Sequence, residues 1–131
     1  MILLDTHSLI WWFDNDPRLS TSAKRTIDTE QQTGLIGISS FSCWEIALLV
    51  SRRKIYLTNE IRAWLGAITA ISRVRFIPVD NNIAVASIYL PGKLNKDPAD
   101  RIIVATAMQL NIPIVTTDAR IRAYPYVQTI W

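Results

Sequence analysis

Apolar residues in this chain fall into short unbroken bursts, and between the bursts they recur every three or four positions. Met1 to Leu4 is the first burst, and it stops at Asp5. "GLIGIS" (34–39), "VRFIPV" (74–79) and "IPIVTTD" (112–118) repeat the form, and "YVQTIW" (126–131) reads as a final edge strand. The intervening periodicity predicts helices. One starts in "DTHSLIWWF" with Thr6 or Ser8 as cap, and a polar one starts at Ser20 or Ser22 and runs to about Gln32. Phe41, Trp44, Ala47, Leu48 and Val50 mark a third, ending at the basic "SRRK". Thr58 is expected to cap a fourth, with Ile61, Trp64, Leu65, Ile68 and Ile71 on its apolar stripe. A short one runs from Asn81 or Asn82 to Ile88, and an apolar one from about Asp100 to Leu110.

Strands alternating with helices predict an α/β fold. It is a three-layer α/β/α domain whose central sheet is mainly parallel and has about five strands. The strands are continuously apolar rather than alternating, as expected where helices cover both faces of a sheet.

The 131 residues, half of them hydrophobic and 19% charged, fit one domain spanning 1–131 and argue against global disorder. A single cysteine, Cys43, excludes an internal disulfide and a multi-cysteine zinc site, and suits a reducing, cytoplasmic setting. "MILLDTHSLIWWF" lacks the basic start of a signal peptide, and no apolar run is long enough to span a bilayer, so no membrane role is expected. The net charge of +3 mildly favours an anionic partner.

The acids change the picture more. In a parallel α/β sheet, ligands bind beyond the carboxyl ends of the strands. Asp5 directly follows "MILL", and Asp118 directly follows "IPIVTT". Glu45 lies between Trp44 and Ile46 in an apolar helix, where a lone carboxylate is costly. In "KDPADRIIVATA", Asp97 before Pro98 reads as helix cap and first-turn proline. That leaves Asp100 at the third helical position, split between a capping role and a site role. Four converging carboxylates need a cation. With no lysine or arginine at the strand ends themselves, a hard divalent ion, Mg²⁺ or Mn²⁺, is the expected partner, as one or two ions.

Other residues have plainer readings. His7 reads as capping or packing, Cys43 as buried and inert, and Trp11, Trp12, Trp44 and Trp64 as core by default. Because adjacent residues on one helix do not both point inward easily, one of Trp11–Trp12 is the alternative candidate to face a dimer partner or another protein's helix. Arg52, Arg53 and Lys54 read first as a solvated helix end. With Lys93, Lys96 and Arg101 they are also the candidate RNA-backbone contacts, and Arg101 could instead pair with an acid.

"LLDTHSLIW", "SSFSCWEIA", "KDPADRIIVATA" and "IPIVTTDARI", in this order, resemble PIN domains, and in particular the VapC-type toxin ribonucleases of toxin–antitoxin pairs. The resemblance covers residues 1 to about 124. It implies a metal-dependent endoribonuclease in which Asp5, Glu45, Asp100 and Asp118 are the catalytic metal ligands and Asp97 a further candidate. Thr6, Ser42, Thr116 and Thr117 match supporting polar positions. It also implies an RNA substrate, a cognate antitoxin protein and a homodimer. The alternatives are an inactive PIN-like module that binds protein or RNA without cutting, and a housekeeping RNA-processing nuclease.

Overall fold

A computed structural model describes residues 1–131. The elements run β1 (Ile2–Leu4), α1 (Thr6–Phe13), α2 (Thr21–Thr33), β2 (Ile36–Ser39), α3 (Ser40–Ser51), α4 (Ile61–Thr69), β3 (Val74–Ile77), α5 (Asn81–Ile88), α6 (Pro98–Leu110), β4 (Ile114–Val115), α7 (Ala119–Arg122) and β5 (Thr129–Ile130). The five strands form one sheet in the order β3-β2-β1-β4-β5. Every neighbouring pair is parallel, with Leu3 opposite both Gly37 and Ile114 at the centre.

Alternation along the central strands sends side chains to two different cores. Ile2 and Leu4 join Ile36, Ile38 and Val115 against Leu9, Ile27, Ile46, Trp64 and Ile68 from α1, α2, α3 and α4. Leu3 and Ile114 point the other way, onto Ile103, Val104 and Ala107 of α6 with Ile121 and Tyr124. All of β1, β2 and β4 is buried, which is why these strands carry no polar side chain except Ser39 at the end of β2, where it caps α3. Each fully buried Leu or Ile contributes about 1.5–3 kcal/mol.

Local starts differ from the expected ones in an instructive way. Asp5, not Thr6 or Ser8, caps α1; its carboxylate accepts the Ser8 backbone N–H at 2.7 Å. Glu60, not Thr58, caps α4, accepting from Arg62 and Ala63. In both cases the acid takes the N–H groups of the first turn, where the helix dipole also favours it. Thr58 instead donates to Asp14 at 2.8 Å, and the buried Trp64 indole N–H donates to the same oxygen at 2.7 Å.

That pairing gives a prediction. Asp14→Ala leaves the indole N–H of Trp64 unpaired and is expected to cost about 1–2 kcal/mol, measured by urea unfolding. An unchanged midpoint would show that water replaces the carboxylate without loss.

The tryptophans are distributed differently from expectation. Trp11 and Trp12 are both half-buried against the larger core. Trp44 is the one that leaves it: 56% exposed and stacked on Phe41 at 5.1 Å. It sits on the outer side of α3 while its neighbours Cys43 and Glu45 are half-buried.

Candidate active site

The sheet topology brings its functional ends together. β1 and β4 are adjacent, so Asp5 and Asp118 emerge side by side at their carboxyl ends. α6 runs back toward β4, so its N-terminus, carrying Asp97 and Asp100, opens at that same edge. α3 leaves β2 there too, and places Glu45 in its second turn. The result is a cleft of about 190 Å³ lined by Asp5, Thr6, His7, Glu45, Asp97, Asp100, Thr117, Asp118 and Arg120, with Ile103 as its only apolar wall. All four expected acids, and the further candidate Asp97, line this one cavity.

The acids are not equivalent. Asp5 is 7% exposed. Burial pushes its carboxyl above the usual range, and hydrogen bonds from Thr116 and Ser8, with the nearby His7, offset part of this. Asp97 spends its Oδ1 on the Asp100 N–H at 3.0 Å, so it is the cap. The Asp97 N–H is taken by Asn95 rather than by Asp100, so the capping box is not closed. The Asp100 carboxylate is thereby released into the cleft. Burial first, then the charges of Asp97 and Asp118, push it to about 6 despite Asn95 and Arg120. Asp118 goes the other way, held low chiefly by the Arg120 guanidinium and by the N–H groups of Arg120 and Ile121.

The supporting hydroxyls stand behind the acids. Thr6 donates to Ser42 at 3.1 Å, tying α1 to α3 beside Asp5 and Glu45. The buried Thr116 accepts the Asp118 N–H at 3.0 Å. Thr117 lines the cleft directly, whereas Ser42 and Thr116 do not.

One expectation is corrected. The cleft does contain a basic side chain: Arg120, two residues beyond Asp118. Its Nη2 lies 2.9 Å from Asp118 Oδ2 and 3.2 Å from Asp100 Oδ2. The signal was present in "TDARI", because the first turn of a helix folds the residue two beyond an aspartate cap back over the carboxylate. "DPR" at Asp16–Arg18 does the same, with Arg18 Nε and Nη2 on the two oxygens of Asp16.

The basic candidates separate into groups. Arg101 neither pairs with an acid nor faces outward for RNA. Its guanidinium donates to the carbonyls of Ser87, Ile88, Leu94 and Asn95, pinning the connection between α5 and α6. Arg52, Arg53 and Lys54 are exposed at the end of α3, and Lys93 and Lys96 are exposed in the connection before α6. None of these five lines the acidic cleft, although Lys54 borders a neighbouring hollow that shares His7 with it.

A divalent ion fits the chemistry of the donors, which are carboxylate oxygens with hydroxyls behind them. As they stand, no three ligand-type side chains converge on one point, and a guanidinium bridges two of the acids.

Comparison with known proteins agrees with this frame. The PIN domain family model matches residues 2–125. The chain is 33% identical over 132 residues to Ribonuclease VapC22 of Mycobacterium tuberculosis, covering 99% of this chain and 98% of that protein. Its fold matches VapBC2 of Rickettsia felis bound to promoter DNA, with a TM-score of 0.69 and 18% identity over 98% of this chain and 97% of that one. It also matches the sarcin–ricin-loop-cleaving toxin VapC20 of Mycobacterium tuberculosis, at a TM-score of 0.69 and 17% identity over 98% of both chains.

Proposed function

The chain belongs to the PIN domain family, and from that premise we propose that it is a divalent-metal-dependent endoribonuclease acting as the toxin of a VapBC-type pair. One observation carries the reading: carboxylates from four separate stretches of sequence line a single polar cleft at the carboxyl edge of the sheet. Asp5, Glu45, Asp100 and Asp118 would hold Mg²⁺ or Mn²⁺, with Asp97 beside them. A bound ion supplies charge neutralisation for the phosphate and a more acidic water.

The chain's own residues do the rest. Asp5 is fixed by the Ser8 N–H, and Asp118 by the N–H groups of Arg120 and Ile121, so neither carboxylate must be ordered when substrate arrives. Ile103 supplies the one apolar wall of the cleft. The RNA backbone would run over the exposed cations Arg52, Arg53, Lys54, Lys93 and Lys96, which lie outside the cleft and so meet phosphates flanking the cut. Free of a disulfide partner, Cys43 suits a reducing cytoplasm, where RNA is made.

The direct test incubates purified protein with unstructured and structured RNA in Mg²⁺, Mn²⁺ or EDTA. Cleavage confined to the metal-containing samples is the expected result. Cleavage that survives EDTA would overturn the metal dependence, and RNA binding without cleavage under any condition would leave the non-cutting module.

Two protein partners complete the proposal. The relatives' names place them in VapBC pairs, and a cognate antitoxin is the corresponding partner here. A homodimer is supported by the outer face of α5, where Val85, Ile88 and Tyr89 are 60%, 68% and 79% exposed. Ile88→Asp is expected to give a monomer by light scattering, and an unchanged mass would place the dimer contact elsewhere or nowhere.

A further inference from the structure

The Asp118–Arg120 pair has a twin that takes no part in the cleft. At Asp16–Arg18, as at Asp118–Arg120, the arginine N–H and Nε bond the aspartate Oδ1 while Nη2 bonds Oδ2. The local turn therefore accounts for an arginine folded onto its own aspartate. It does not account for a second acid. Arg18 holds Asp16 alone among the acids and lays its guanidinium over the Trp11 ring at 5.1 Å. Arg120 reaches 20 residues back in sequence to Asp100 as well.

The geometry of that second contact matters. A single atom, Nη2, lies 2.9 Å from Asp118 Oδ2 and 3.2 Å from Asp100 Oδ2. Mg²⁺ takes its oxygen ligands at about 2.0–2.1 Å. An ion ligated by these same two oxygens would need the lone pairs that Nη2 now occupies, so the two cations would compete for them. The side chain is also free to leave, being 58% exposed, whereas Asp100 and Asp118 are 17% and 26% exposed.

We propose that Arg120 is the resident counter-ion of the acidic cleft, holding Asp100 and Asp118 together until a divalent cation displaces it. This rests on the metal-nuclease reading above and adds a consequence to it. Metal affinity is set by competition with an internal cation, so it is lower than the carboxylates alone would give. The exchange is electrically sensible, because one positive guanidinium leaves as a doubly charged ion arrives. It also leaves a freed guanidinium at the mouth of the cleft, where an RNA phosphate must pass.

The test is Mn²⁺ binding, read from the loss of the free-ion EPR signal, with thermal melting in EDTA and in saturating Mn²⁺. Four proteins are compared: wild type, Arg120→Gln, Arg120→Lys and Arg18→Gln. Arg120→Gln is expected to bind Mn²⁺ about fivefold more tightly than wild type, the upper range for losing one exposed ion pair. It is expected to melt lower than wild type in EDTA, with the gap closing in Mn²⁺. Arg120→Lys, which keeps the charge but not the fork, should fall between them, and carries the test if the glutamine variant does not fold. Arg18→Gln, which breaks the same motif away from the cleft, should bind Mn²⁺ as wild type does. Equal or weaker Mn²⁺ binding by both Arg120 variants would overturn the competition and make Arg120 a support for the bound metal. Absence of Mn²⁺ binding in all four proteins would overturn the metal-nuclease reading itself.

Discussion

Asp5→Asn is expected to lower RNA cleavage at saturating Mg²⁺ by about 100-fold or more while leaving the protein folded. On the proposed reading, the substitution removes one charged ligand from a cluster whose ion would supply several kcal/mol of charge stabilisation. Retention of the fold follows from the cap. Asparagine offers the same Oδ1 to the Ser8 N–H that aspartate does, and ranks with it as an N-cap. Burial already holds the Asp5 carboxyl above its usual range, so the neutral amide relieves a buried charge rather than creating one. The same exchange at Asp118 would be less clean, because its carboxylate also anchors Arg120. Steady-state cleavage of a labelled RNA, with circular dichroism on the same samples, makes the comparison. More than a tenth of wild-type activity in the folded variant would remove Asp5 from the catalytic set.

The buried strands were legible because burial on both faces leaves them almost wholly apolar, with Ser39 at the end of β2 the one polar side chain. β1, β2 and β4 show every residue inside. The edge strand at "YVQTIW" was harder to read. Only Thr129 and Ile130 pair, and both are half-buried, so the run carries little signal. Helix starts were misplaced where a hydroxyl and an acid competed for one turn. At Asp5 the chain passes directly from strand to helix, and the last extended residue becomes the cap. At Glu60 the hydroxyl of Thr58 was drawn away by Asp14, a residue 44 positions earlier that no local pattern reveals.

The acids that line the candidate cleft were legible in the sequence, and its cation was not. Aspartates at strand ends and at a proline-marked helix start announce their position, because the parallel topology puts all such points on one edge. The division between Asp97 and Asp100 also followed from local rules, since a cap consumes the first and leaves the second. Arg120 was missed because the search for a cation stopped at the strand ends, whereas the first turn of α7 returns a residue two positions later to its own cap. Arg101 misled in the opposite sense. Adjacent in sequence to an acid of the cleft, it points away around the helix and binds two carbonyls at the end of α5 and two in the loop before α6. Neighbours along a helix face different directions, so adjacency to Asp100 carried no information about the cleft.

The second large effect is a pH-dependent gain in stability for Asp100→Asn in EDTA. Folding raises the Asp100 carboxyl from 3.8 to about 6. Below the lower value it is protonated in the folded and unfolded chains alike and contributes no difference. Between the two values the folded chain holds a proton that the unfolded chain releases, so stability falls as pH rises through this window. Above about 6 the full penalty is present, and a shift of that size corresponds to at most about 3 kcal/mol, reduced by the screening that solvent at the mouth of the cleft provides. Asparagine carries no such penalty. The variant is therefore expected to match wild type near about pH 4, and to exceed it by up to that amount near about pH 7, in guanidinium unfolding across the range. Saturating Mg²⁺ should reverse the order at neutral pH, because an ion bound to the folded state stabilises only the protein that retains the ligand. A difference independent of pH would mean that Arg120 already neutralises Asp100 in full. The crowding of carboxylates, on which the proposed metal reading of this cleft leans, would then lose its thermodynamic support.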